Sequence, residues 1–199
     1  IFALGQVSLV GASLQMFSHG IVTGLLFAMA GLVMHNTGER DLRQLGERVT
    51  DEEIRAAELL AGKLKDVTVF IDEHKEWLPE LKADGPKLRV TYHDPCHLVK
   101  GLKISAQPRN VLKTIPGIEY VELPGANDCC GGGGSFQVEH ADTSRKITKR
   151  KVDNIVETMA DVLTTCCPGC SLTISNHLDP AIKVLHPVQL LQKALNSSQ

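Results

Sequence analysis

A chain of 199 residues, 43% hydrophobic and 22% charged, has an ordinary globular composition and is long enough for one domain and part of another. A formal net charge of -2 and an aromatic content of 4% supply no basic or stacking surface, so no nucleic-acid partner is expected. Six cysteines, bunched and including two adjacent pairs, do not make a secreted disulfide scaffold, which leaves metal binding or redox chemistry as the better reading.

The front of the chain differs from the rest. Ile1 to Gly38 contains no Lys, Arg, Asp or Glu, and the first formal charge is Glu39. Within it Ile21–Met34 (IVTGLLFAMAGLVM) is apolar apart from one Thr and two Gly. With Val7–Gly20 in front, the segment is long enough to cross a bilayer once, which takes roughly 20 residues. Arg40, Arg43 and Arg48 follow it, placing the downstream side in the cytoplasm. The apolar run alone also suits a buried helix of a soluble protein. The expected organisation is a membrane-like helical segment over 1–38, a polar linker over 39–50 and a cytoplasmic domain over 51–199. The first residue is Ile, so the chain reads as beginning inside a longer frame.

Residues 51–80 have a helical pattern, interrupted near Asp66, with Asp51, Glu52 and Glu53 at a start that suits the helix dipole. Pro86 punctuates. Four short β-branched stretches follow, at Leu88–Tyr92, Ile118–Leu123, Asp161–Thr165 and Ile182–Leu185, each of strand length. Helical patterns lie between them. The clearest is His140–Met159, where Val152, Ile155, Val156 and Met159 form an apolar stripe and Arg145, Lys149 and Lys151 fall on the surface. Val188–Leu195 is a last helix after Pro187. Alternation at this pitch predicts an α/β fold with a small parallel sheet of about four strands and crossover helices.

In such sheets ligands collect beyond the carboxyl ends of the strands. Cys96 follows the first strand, Cys129 and Cys130 the second, and Cys166, Cys167 and Cys170 the third, so all six can reach one edge. Three chemistries compete for them. An iron–sulfur cluster needs thiolate ligands, and the glycines of NDCCGGGGSF (Gly131, Gly132 and Gly133 among them) would let backbone approach it closely. Pro168 and Gly169 open a helix whose N-terminus favours thiolates. Zinc on Cys96, Cys129, Cys167 and Cys170 leaves Cys130 surplus. Thiol–disulfide exchange at Cys167 and Cys170 leaves Cys96 and the vicinal pair unexplained.

The pattern C-x₃₂-CC-x₃₆-C-x₂-C, formed by Cys96, Cys129, Cys130, Cys167 and Cys170, resembles the cysteine-rich CCG domain. That domain occurs in the B-type subunit of heterodisulfide reductase and in the iron–sulfur subunits of glycolate oxidase and lactate utilisation. VTYHDPCHL, AQPRNVLKTIPG, CCGGGGSF, CPGC and HPVQLL add to the likeness over about 52–199. The resemblance implies that the five cysteines bind a [4Fe–4S] cluster, non-cubane in the heterodisulfide reductase branch. It also implies a flavin-containing subunit and other iron–sulfur subunits as partners, in a 2-hydroxyacid-oxidising or heterodisulfide-reductase-like enzyme. Cys166 lies outside the motif and reads as a buried small residue. A second CCG domain and a ferredoxin-like module, usual in the family, are not in this chain.

At the front, LQMFSHGIVTGLLFAMAG with NTGERDL resembles the antiporter-like membrane subunit (chain M or 4 type) of proton-pumping NADH:quinone oxidoreductase, over residues 1 to about 45. His19 falls where that family carries a proton-path histidine, but its pump lysines and glutamate are missing. No pumping is expected. The segment reads either as a tether to a membrane or quinone-linked complex or, better, as an unrelated frame joined to the domain.

Of the smaller features, His93 and His97 could hydrogen-bond a cluster or relay a proton, or simply close the strand. Asp94 reads as a cap of the following turn, and His186 reaches the same edge or packs. Arg145, Lys146, Lys149, Arg150 and Lys151 read as a solvated helix face before a partner-docking one.

Overall fold

The computed structural model describes residues 50–83, 85–133 and 135–197. The expected span at 1–38, the pump-like resemblance and nearly all of the linker lie outside them. Among the described residues no helix is long and apolar enough to cross a membrane. Two compact units divide the chain, residues 1–64 and 65–199. Of the first, helix α1 (Asp51–Lys63) is described.

The second unit opens with α2 (Val67–Glu73), whose N-cap is Asp66: its carboxylate accepts the Thr68 N–H at 2.8 Å, which is why the helical pattern breaks there. A 3₁₀ turn (Lys75–Trp77) follows. The sheet consists of β1 (Leu88–Tyr92), β2 (Ile118–Tyr120), β3 (Val162–Thr164) and β4 (Lys183–Leu185), all parallel, in the order β2-β1-β3-β4. Between the strands lie a π-helical turn (His97–Leu102), α3 (Ala106–Thr114), α4 (Phe136–Glu139), α5 (Ala141–Glu157) and α6 (Pro168–Ser175), with α7 (Pro187–Ser197) last. No sequence signal announced the π-helical turn. The second and third strands are shorter than their β-branched runs. At the second, the chain turns away at Pro124 after Val121 gives a last N–H to the Val90 carbonyl (2.9 Å).

Strand alternation distributes side chains to two cores. Val90, Tyr92 and Val162 pack with Val111 and Leu112 of α3 and Leu190, Leu191 and Ala194 of α7. Leu163 faces the opposite way and packs with Leu123, Ile155 of α5 and Ile174 of α6, together with Cys130 and Cys170. The register agrees, since Val90 pairs with Val162 and Leu163 with Val184. From β1 the chain moves outward to β2 and then returns past β1 to β3. The boundary between β1 and β3 is therefore the point at which the winding reverses, where doubly wound sheets open a crevice at their carboxyl ends.

Helix α5 corrects the predicted stripe. Its buried face carries Ser144, Thr148, Lys151 and Ile155, whereas Val156 and Met159 are exposed. The polar residues are buried because the cysteine loop lies against them with carbonyls that need donors.

Candidate metal centre

The carboxyl ends of β1 and β3 carry His93–Asp94 and Thr165–Cys170. The His93 N–H donates to the Thr164 carbonyl at 2.8 Å, and the Asp94 N–H to the Ala126 carbonyl at 3.0 Å. These two bonds fasten the end of β1 to β3 on one side and to the loop after β2 on the other. That loop carries Cys129 and Cys130. It is held from beneath by α5: Thr148 Oγ1 donates to the Cys130 carbonyl at 2.8 Å and Ser144 Oγ to the Gly131 carbonyl at 2.9 Å.

The result is a compact group. A ring nitrogen of His93 and the Sγ atoms of Cys130 and Cys170 lie within 4.8 Å of one another, all three side chains buried. Cys167 adjoins Cys170 as the N-cap of α6, its Sγ accepting the Cys170 N–H at 3.4 Å, with Pro168 opening the first turn. A hydrogen bond from the Cys170 thiol holds Cys130 down to about 4 and Cys167 down to about 5, with backbone N–H groups of Gly132 and of Gly169 and Cys170 assisting. Cys170 is pushed up for the complementary reason, as the thiol whose proton its two neighbours share.

The remaining predicted residues fall at different depths. Cys96, at the start of the π-helical turn, and Cys129 are exposed and lie outside the 4.8 Å group. Cys129 Sγ accepts the Gly131 N–H at 3.3 Å. His97 is exposed, and it stands near enough to Cys167 to add a minor influence that lowers that thiol. His93 is 1% exposed, and neither ring nitrogen has a hydrogen-bond partner among the described residues. The ring lies against the Cys130 sulfur and helps hold that thiol down, so it is placed to donate to sulfur or to a group bound there.

Cys166 does not converge with the others. The chain alternates at Cys166–Cys167, so Cys166 packs against the α3–α7 core and accepts a hydrogen bond from the Tyr92 hydroxyl at 3.5 Å. Burial pushes its thiol up to about 12, which keeps it protonated and unreactive. His186 serves as a helix start: its Nδ1 accepts the Val188 N–H at 3.2 Å. Asp94 is no turn cap. It is buried, and Arg109 clasps it at 2.8 and 2.7 Å while reaching Glu122 at 2.6 Å. No signal along the chain pointed to this network, because Asp94 and Arg109 stand in unlike motifs.

The glycines have reasons of their own. Gly131 has φ +90, and a Cβ there would meet Thr148 Oγ1 at 2.5 Å; one at Gly132 would overlap the Thr173 side chain. These two thread the loop between α5 and α6. Among the described glycines of this loop, Gly133 has open space around it. Close approach to a ligand is therefore unnecessary to explain the first two.

These residues suit an iron–sulfur cluster: soft sulfur donors brought together, two of them held down by their neighbours, a buried imidazole beside them, and further cysteines at the mouth. Fold and site together define an α/β domain with a cysteine centre at its switch point. Residues 90–175 match the cysteine-rich domain family CCG. The chain is 35% identical over 142 residues to an uncharacterised iron–sulfur protein of Methanocaldococcus jannaschii, covering 67% of this chain and 28% of that protein. It is 36% identical over 108 residues to lactate utilization protein A of Oceanobacillus iheyensis, covering 53% and 44%. It is 33% identical over 140 residues to one of the subunits of the dihydromethanophenazine:CoB–CoM heterodisulfide reductase of Methanosarcina mazei, covering 69% and 32%. The chain thus spans less than half the length of each. Nothing in these similarities supports the pump-subunit resemblance of residues 1–45.

Proposed function

We propose that the domain is an iron–sulfur electron-transfer module of a larger oxidoreductase, holding a [4Fe–4S] cluster, in the cubane or non-cubane form, on Cys96, Cys129, Cys130, Cys167 and Cys170. The observation that carries this is the meeting of buried Cys130 and Cys170, with half-buried Cys167 adjoining, beside the buried ring of His93, inside the stretch that matches the CCG domain. When bound, the cluster accepts and releases single electrons. The chain's part is to bind and insulate. Cys130 and Cys170 offer buried sulfurs and Cys167 a half-buried one, and Cys96 and Cys129 offer exposed ones where a partner can approach. His93 can give its ring N–H to a ligand sulfur, and Asp94 and Arg109 fix the segment that leads to Cys96.

The similarity to lactate utilization and heterodisulfide reductase proteins supports a parent enzyme that oxidises a 2-hydroxyacid or reduces a disulfide. In the former a flavin subunit takes the hydride and passes single electrons to this module and to other iron–sulfur subunits.

The 4.8 Å group of His93, Cys130 and Cys170 favours one second reading, a single zinc ion held there with Cys167. Iron, zinc and acid-labile sulfide content of the full chain, purified without oxygen beside Cys130→Ser, separates the two. About four iron and four sulfide per chain, lost in the variant, supports the cluster. One zinc without sulfide overturns it.

A further inference from the structure

The basic run of α5 contains one member unlike the rest. Arg145, Lys149 and Arg150 are exposed and pair with Asp142, Asp153 and Asp128. Lys151 is 1% exposed. Its Nζ donates to the Gly125 carbonyl at 2.5 Å and to the Ala126 carbonyl at 3.4 Å, and among the described residues it forms no ion pair with a carboxylate. A lysine with four methylenes could follow its neighbours into water. Burying an ammonium against neutral carbonyls is expensive unless negative charge stands near.

Two features show what the placement accomplishes. The Ala126 carbonyl also accepts the Asp94 N–H, so one peptide oxygen joins α5, the segment running to Cys96 and the loop running to Cys129 and Cys130. Burial pushes the Lys151 ammonium below its usual range. The negative charge that opposes this comes first from Asp128, which is half-exposed and near Arg150, then from the thiol site at Cys130 and from Asp94, already clasped by Arg109.

We propose that Lys151 is a positioning residue of the thiol site: a buried ammonium that holds the two ligand-bearing segments together through the Gly125 and Ala126 carbonyls and sets a positive charge behind the metal–thiolate assembly formed there. Its redox consequence rests on the cluster reading. Each added electron makes a thiolate-bound cluster more negative, and a fixed cation nearby favours the reduced form.

The test compares wild type, Lys151→Met and Lys151→Gln, the last retaining a donor for the carbonyls but not the charge. Full-length chains are prepared without oxygen, checked for folding by circular dichroism and titrated against electrode potential by electron paramagnetic resonance. With iron and sulfide content close to wild type, each variant should show a several-fold lower reduced-to-oxidised ratio at the wild-type midpoint. An unchanged midpoint in a loaded variant overturns the proposal. Should Lys151→Met fail to fold, Lys151→Gln decides alone. If the wild type carries no iron or sulfide, the cluster reading fails by itself. The metal-free chains then decide, by amide hydrogen exchange at Asp94 and across residues 125–131. Exchange should rise several-fold in the Lys151 variants, and an unchanged rate overturns the positioning role.

Discussion

Cys166 and Cys167 are neighbours in sequence and opposites in chemistry. Backbone alternation sends one to the α3–α7 core, where burial keeps it protonated, and the other to the N-terminus of α6, where a shared thiol proton and two backbone N–H groups hold it ionised. Their substitutions should separate accordingly. Cys166→Ala should keep its full complement of bound metal and lose about 1 kcal/mol of stability or less, for a small buried side chain and one weak hydrogen bond. Cys167→Ala should lose bound metal. Metal analysis and urea unfolding on both variants check this, and equal metal loss in the two would refute the assignment of faces. The vicinal pair and the CPGC spacing were legible because ligand chemistry demands those residue types. The side to which each sulfur points was legible only once the strand register was known.

At the scale of elements, α5 and the glycine loop depend on each other. Read as a sequence, Ser144, Thr148 and Lys151 look like surface positions, since polar residues at helical spacing normally face water. They are buried because the loop presents the carbonyls of Gly125, Ala126, Cys130 and Gly131 to them. The loop in turn fits against α5 and α6 only with glycine at two places. Gly132→Ala should push the loop from Thr173, costing roughly 1–3 kcal/mol as overpacking does and reducing metal loading with it. Gly133→Ala has open space around its new methyl and should do neither. Thermal unfolding and metal content of the two variants side by side provide the check.

For the whole molecule, the ion network at Asp94, Arg109 and Glu122 links the end of β1, helix α3 and the chain leaving β2. Arg109 and Asp94 have side chains only 14% and 4% exposed. Removing one partner leaves a buried charge uncompensated, so Arg109→Met should lose about 3 kcal/mol or more in urea unfolding. The network also has an acid signature. The Arg109 guanidinium holds the Glu122 carboxyl below its usual range. A depressed carboxyl adds stability that is fully present above its unfolded value of about 4.3 and is lost as pH falls through its lower folded value. Wild type should therefore lose stability across that acid window, and Arg109→Met should lose less of it. A parallel decline would deny Arg109 that role.

The sequence by itself determined the α/β class, the four parallel strands, the break at Asp66 and the candidate ligands. Each of these depends on local rules of periodicity, capping and ligand chemistry that act within a few residues. The tertiary structure alone decided that β1 and β3 flank the switch point, that His93 lies buried beside Cys130 and Cys170, that Asp94 is clasped by Arg109, and that Lys151 is buried. Those facts depend on which strand edges and loop carbonyls meet across the fold. A polar side chain's burial is set by the partner that arrives from elsewhere in the chain, and no spacing along the sequence encodes that arrival.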